Sequence, residues 1–284
     1  MKNQAIIEKL CKASEKDYSN PYQIIVWPET VSKEEWHMSP ELISIYGTET
    51  FEKMSEDEKK RLSFYEAVNF FSLNIHGEKS LIEGLAKRLY RKNSEVSPYL
   101  HHFLGEENKH MVYFGTFCQK YAGKIYRDKK VAFPREFEEG EEDFLFFSKV
   151  LIFEEIVDVY NAKMAKDERV STIARRINLL HHEDESRHLV FGRLAVKDLF
   201  DAYSSKWTPE TLNHVKNYVS DYFPATWGEY YNPEVYADAG IPNVSEFREK
   251  VLISDSTKKH RKSISAYAIK FFIENKIIDK EPAL

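Results

Sequence analysis

The sequence predicts an all-α fold, a bundle of four long helices with extra peripheral helices, on three observations. Between residues 55 and 204 the only prolines are Pro98 and Pro134, so long stretches escape the strongest helix breaker. Apolar residues in that middle recur every three or four positions, the period of one helix face. Two runs, GEENKH at 105–110 and HHEDESRH at 181–188, each place a carboxylate and an imidazole three positions apart, which on a helix is one face.

Taken in order, the first long helix is expected from about Glu56 to Asn93, with Phe71, Ile75, Glu78, Ile82, Leu85 and Leu89 along one stripe. Ser97 and Pro98 then open a second helix that reaches about Tyr121 and aligns Phe103, Glu107, His110 and Phe114. Tyr126 to Gly140, with Pro134 and a dense acidic patch, is expected to be a loop. The run EEDFLFFSKVLIFEEIVDVYNAKMA at 141–165 is apolar enough to be a third helix buried nearly all round. Ser171 and Thr172 can cap a fourth, reaching Phe200, on which Ile177, His181, Glu185 and His188 share a stripe.

The ends are less regular. Residues 18–48, with Pro21, Pro28 and Pro40, and residues 223–243 are expected as ordered loops that wrap the bundle. Helices near Thr208 to Tyr222 and Ser256 to Lys276 complete one expected domain over 1–284. Its ligand-bearing core spans about 55–204, between peripheral segments 1–54 and 205–284.

Composition narrows the function. The 284 residues are 42% apolar, enough for a sizeable core. Lys plus Arg number 41 against 46 Asp plus Glu, a net charge of -5, which gives no basic excess for nucleic acid. No segment approaches the roughly 20 apolar residues of a membrane span, and the apolar stretch at the start is too short for a secretory signal. A cytoplasmic protein is therefore expected. Cys11 and Cys118 form no CxxC pair, so neither a disulfide framework nor a thiolate zinc site is indicated.

A carboxylate and an imidazole on an otherwise apolar stripe are costly unless something neutralises or binds them. In bundles that hold two metal ions, two helices each give a Glu-x-x-His pair and two others each give one Glu. Glu107 with His110, and Glu185 with His188, are the two pairs, and His181 lies one turn before Glu185. For the remaining carboxylates, Glu78 on its apolar face is preferred to the offset Glu83 and the earlier Glu66. Glu154 is preferred to Glu155, since adjacent positions point about 100° apart. Hard carboxylates mixed with imidazoles suit iron or manganese, with zinc behind them, and not copper or an iron–sulfur cluster. Two irons are the first choice.

Asp158 and Asp184 are placed to accept from ligand N–H groups, but solvated surface acids are the preferred reading for both. His101, His102 and His182 stay outside the site. A single Glu-x-x-His is common by chance; two pairs on separate long helices, with buried Glu expected on the other two, favour metal.

In this order, Glu78, Glu107 with His110, Glu154, then His181, Glu185 and His188, the residues resemble the diiron arylamine N-oxygenases, typified by the p-aminobenzoate N-oxygenase of aureothin biosynthesis. The third histidine, in His-x-x-x-Glu-x-x-His on the last ligand helix, carries the resemblance. Ordinary ferritin-like diiron proteins use two. It covers the four long helices, with weaker support from YNPEVYADAGIPN, and the interval from Glu78 to Glu107 is shorter than in the family. The resemblance implies a ferritin-like fold, two iron ions, O2 as co-substrate and an external reductant or electron donor. It also implies a small amine substrate, oxidised through hydroxylamine and nitroso stages; a homodimer is compatible.

Phe70, Phe71, Phe103, Phe114, Phe147, Phe153 and Tyr160 are candidate pocket residues, although an aromatic stripe is more often plain core. A substrate carboxylate would call on Arg175, Arg176, Arg187 or Arg193. The rivals are another diiron monooxygenase or oxidase, including the haem-oxygenase-like type, which lacks the Glu-x-x-His of the second helix, and a ferritin-like storage protein, which lacks the third histidine.

Overall fold

The computed structural model describes residues 3–91, 94–128 and 135–284. In chain order its helices are α1 (Gln4–Lys16), α2 (Glu49–Lys53), α3 (Glu56–Arg88), α4 (Ser97–Phe117), α5 (Glu141–Lys166), α6 (Thr172–Tyr203), α7 (Pro209–Tyr230), α8 (Pro233–Asp238), α9 (Val244–Ile253) and α10 (Asp255–Glu274). There is no strand among the described residues, only an isolated bridge between Trp36 and Val170. The all-α architecture is thus as expected.

The four long helices α3, α4, α5 and α6 build the bundle, as two hairpins in which α3 packs on α4 and α5 on α6. Ser55 starts α3 with a reciprocal capping box to Glu58. The helix stops at Arg88, short of the expected Asn93, which lies outside the described residues. Leu89 leaves the helical region, Tyr90 takes a left-handed φ of 56°, and the Tyr90 N–H donates to Ser97 Oγ at 2.9 Å. That bond ties the end of α3 to the start of α4.

α4 gives way after Phe117 to a π-helical turn, Cys118–Ala122, which ends at Gly123 with a φ of 67°. α5 is exposed only at Glu142, Lys163 and Lys166, close to the all-round burial its composition predicts. Gly140 precedes it with a φ of +79°, and a Cβ there would lie 2.3 Å from the Tyr203 ring. Where α3 faces α5, Gly77 and Gly84 lie against Phe153 and Phe146.

Ser171 does not cap α6 through its side chain. Its N–H donates to Trp36 O at 2.7 Å and its Oγ lies 3.1 Å from His37 Nδ1, so the extended segment 18–48 is tied to the start of α6. Arg169 grips Glu41 with two bonds of 3.0 and 2.7 Å beside the same junction.

The larger departure is at the C-terminal side, where residues 223–230 are helix rather than loop. α7 runs through Pro224 to Tyr230. A proline inside a helix frees one backbone carbonyl, but Val215, Val219, Phe223, Trp227 and Tyr230 form a buried stripe that continues past it. α1, α2, α8 and α9 are not among the expected helices; α1 buries Ile7 and Leu10 against α4 and α6. One continuous apolar cluster runs from Ile7 to Ile278. No helix among the described residues is long and apolar enough to cross a membrane.

Candidate metal centre

The four bundle helices bring all seven predicted side chains to one buried place. Glu78 comes from α3, Glu107 and His110 from α4, Glu154 from α5, and His181, Glu185 and His188 from α6. They fall into two groups, Glu78 with His110, His181 and Glu185, and Glu107 with Glu154 and His188, each with ligand-type atoms within 4.8 Å of one another. The three alternative carboxylates go elsewhere. Glu83 is exposed and pairs with Lys87 at 2.6 Å, Glu155 accepts from Arg193 Nε at 2.7 Å, and Glu66 accepts from Ser44.

Two carboxylates reach both groups. Glu107 Oε2 lies 3.3 Å from His110 Nδ1 while its Oε1 lies 2.8 Å from His188 Nδ1. Glu185 Oε1 lies 2.7 Å from His181 Nε2 and 3.3 Å from His188 Nδ1. The short approaches of Glu107 Oε1 to His188 and of His181 Nε2 to Glu185 are not aligned as hydrogen bonds. Both oxygens of Glu154, and Oε2 of Glu185, are buried with no hydrogen-bond partner among the described residues. Such orphans are expensive in an apolar interior, and a cation is the usual remedy. Four carboxylates also match the charge of two divalent ions, so the donor set fits a metal centre.

Burial and the nearby Glu78 push the Glu107 carboxyl well above its usual range, and burial and Glu185 do the same to Glu154. Burial works against the charge of Glu185 as well, yet His181 and His188 hold its carboxyl far below the ordinary value. His181 also resists burial, because Glu185 and Glu78 raise it to about 9. Without metal, protons must therefore shield these charges from one another.

Over residues 1–275 the sequence matches the family p-aminobenzoate N-oxygenase AurF. The chain belongs to this family. A member of the AurF family with this centre is a diiron oxidoreductase, an oxygenase or oxidase. No individually curated protein sequence matches it. Among solved structures, an R2-like ligand-binding oxidase from Sulfolobus acidocaldarius is similar at 17% identity and a TM-score of 0.44, covering 97% of this chain and 92% of that one.

In this AurF-family chain each site histidine is oriented by a group behind it, as metal-bound imidazoles usually are. His110 Nε2 lies 2.9 Å from Asp184 Oδ2, His188 Nε2 lies 2.8 Å from Glu106 Oε2, and His181 Nδ1 lies 2.7 Å from the Asn161 amide. Turning that amide over presents Asn161 Oδ1, which has no partner among the described residues, to an Nδ1–H and leaves Nε2 for a metal. Arg187 spans the two acids, at 2.7 Å from Glu106 and 2.5 Å from Asp184, and Lys109 adds a 2.7 Å pair to Asp184.

Asp184, preferred from sequence as a solvated surface acid, is instead buried and serves His110, while Asp158 holds His182 at 2.5 Å. Glu106 and Asn161 were missed. Their targets stand on other helices, and only the neighbouring Glu107 and Glu154 hinted at them. Outside the centre, His101 lies 2.9 Å from the Tyr90 hydroxyl and His102 faces Glu15 at 3.9 Å. Phe103 lies flat on His188 with centroids 3.9 Å apart, and Phe114 meets His181 edge-on at 4.9 Å. These rings keep water from two of the three imidazoles. Phe70 stacks on Tyr160 at 5.2 Å within the core.

Proposed function

We propose that the protein holds two iron ions and uses O2 to oxidise a small organic substrate at an amine nitrogen. The observation that carries this reading is Glu154, buried with both oxygens unpartnered and facing the histidine-rich wall of α6. Glu78, His110, His181 and Glu185 would hold one ion and Glu107, Glu154 and His188 the other, and Glu107 and Glu185 each lie close to histidines of both groups. Bound iron would supply the electrons that activate O2, and an external reductant would restore them.

The chain's own residues do the rest. Asp184 and Glu106 keep the Nε2 protons of His110 and His188 on the outer side, which leaves each Nδ1 lone pair pointing inward. Phe103 and Phe114 exclude water and lower the local dielectric around the imidazoles. The third histidine supports N-oxygenation over simple iron storage, because storage centres of this architecture do not use it.

The test is the metal content of the purified protein, followed by anaerobic loading with iron(II) and exposure to O2 in the presence of aromatic and aliphatic amines. Expected are two irons per chain, a transient visible absorption band and hydroxylamine or nitroso products by mass spectrometry. In Glu154→Gln the iron content should fall toward one per chain. Hydroxylation at carbon, with the nitrogen untouched, would replace the amine reading with that of another diiron monooxygenase. A parent that takes up no iron would end both.

A further inference from the structure

A cavity of about 690 Å³ opens where α3 ends and α4 and α5 begin. Its position on the bundle axis can be read from three helices. On α4 Leu100 lines it and Glu107 comes seven residues later; on α5 Phe147 lines it and Glu154 comes seven residues later. On α6 Phe191 lines it and His188 stands three residues earlier. Intervals of seven and three return to nearly the same helix face, so each helix stacks one cavity residue on one residue of the group Glu107, Glu154 and His188.

Ring contacts close the remaining gap. Phe147 and Phe191 meet edge to face at 5.8 Å and form the inner wall. Phe191 is 6.0 Å from Phe103, the ring that lies on His188. The volume falls within the roughly 300–1,000 Å³ of small-molecule sites, and a mainly apolar lining with a few polar groups is their usual character.

The polar groups carry a sign. The described charged residues of the lining are Glu95, Glu139, Asp143 and Asp198 against Arg88 and Arg91. Arg88 is engaged with Asp143 at 2.8 Å and lies over the Phe146 ring at 3.9 Å. An acidic surplus draws cations into a cleft and repels anions.

We propose that this cavity binds the substrate, and that the substrate is an amine with an apolar body and no carboxylate. Its purpose rests on the oxygenase reading above; its chemistry rests on the lining alone. The apolar body lies against Leu100, Phe147 and Phe191, and the acidic rim gathers the ammonium. Advance from here to Glu154 requires the Phe147 and Phe191 rings to turn.

Tryptamine and indole-3-acetate share one ring system and differ in the sign of the side chain, so the pair tests the claim by calorimetry on metal-free parent protein. Tryptamine should bind and indole-3-acetate should bind at least about 10-fold more weakly, since like-charge juxtaposition is costly. Ala195→Trp, which places an indole in the cavity, should abolish tryptamine binding and leave iron uptake at the parent level. If that variant loses its helical circular dichroism, Leu199→Trp, one turn along the same wall, takes its place. Equal affinity for the two probes, no tryptamine binding, or binding indifferent to the tryptophan overturns the proposal. Iron uptake separates the two readings: two irons without tryptamine binding sinks this inference alone, and tryptamine binding without iron sinks the oxygenase reading and the cavity's role as its substrate site, leaving only the cavity's preference for amines.

Discussion

Glu66 and Glu154 are both buried carboxyls, and what lies beside them separates their roles. Glu66 accepts from Ser44, whose Oγ also lies 2.8 Å from Tyr236 Oη, and burial pushes its carboxyl up to about 8. The folded protein therefore binds this proton more tightly than the unfolded chain, whose value stays near the ordinary 4.5. Its contribution to stability is complete below about pH 4.5 and is lost as the pH rises through about 8. Glu66→Gln should remove that loss. In urea unfolding of metal-free protein, parent and variant should be close at about pH 4.5. By about pH 8.5 the variant should lead by a few kcal/mol, at about 1.4 kcal/mol per pKa unit. Curves that stay parallel across that window would mean Glu66 is ionised in the fold.

Arg187 is the other informative residue, because its guanidinium joins the acids behind His110 and His188. Arg187→Met should weaken metal binding by about 10- to 100-fold, the range seen when such outer partners are lost. Arg187→Lys should recover only part of it, since lysine keeps the charge but not the fork. An anaerobic cobalt(II) titration measures both, and unchanged affinity in Arg187→Met would refute the role. At this scale the sequence is most legible within one helix. Helical spacing favours Glu78 over Glu83, and the structure puts Glu78 with the histidines and Glu83 with Lys87 in solvent. Glu106 against His188 and Asn161 against His181 are pairings between helices, to which periodicity is blind.

Among the elements, the contact of α3 with α5 depends on two glycines. A Cβ on Gly77 would lie 2.6 Å from the Phe153 ring, and one on Gly84 only 2.0 Å from the Phe146 ring. Neither glycine has a positive φ, so the requirement is for space alone. Gly84→Ala should cost about 1–3 kcal/mol, the usual penalty of overpacking, seen as a lower melting temperature. Gly77→Ala should lower the melting temperature and also the iron content, because Gly77 precedes Glu78. Equal iron in the two variants would show that this helix spacing does not govern the centre.

The four long helices were legible from their apolar stripes and sparse prolines, and the C-terminal ones less so. Pro224 marks a break by local rules, but the buried stripe through Trp227 and Tyr230 outweighs it. α1 and α8 do carry local signals, the buried stripe Ile7, Leu10 and Ser14 in α1 and the Asn232 cap followed by Pro233 in α8, but one amphipathic run or one cap does not by itself fix a short helix, which depends on what it packs on.

For the molecule as a whole, the apolar cluster and the charged centre pull in different directions. The cluster runs continuously through the bundle and its peripheral helices, so the helices should survive without metal. The centre carries four buried carboxylates, so metal should stabilise what it joins. Ions that bind only the folded state add about 4 kcal/mol at a thousandfold excess over Kd. Chelation should then leave the far-ultraviolet circular dichroism nearly unchanged and lower the melting temperature by at least about 5 °C. An unchanged melting temperature would mean that the seven residues hold no ion.

The junction at Ser171 bears on how accurately that centre is assembled. α5 and α6 together supply four of the seven residues, and two helices in a hairpin can in principle slip lengthwise past each other by a turn. The turn between them, residues 167–171, is clasped from outside by His37 and Glu41. His37 lies 134 positions earlier in the chain than Ser171. Slippage of α6 along α5 would have to tear that clasp, so a segment that contributes no donor atom to the centre sets its axial alignment.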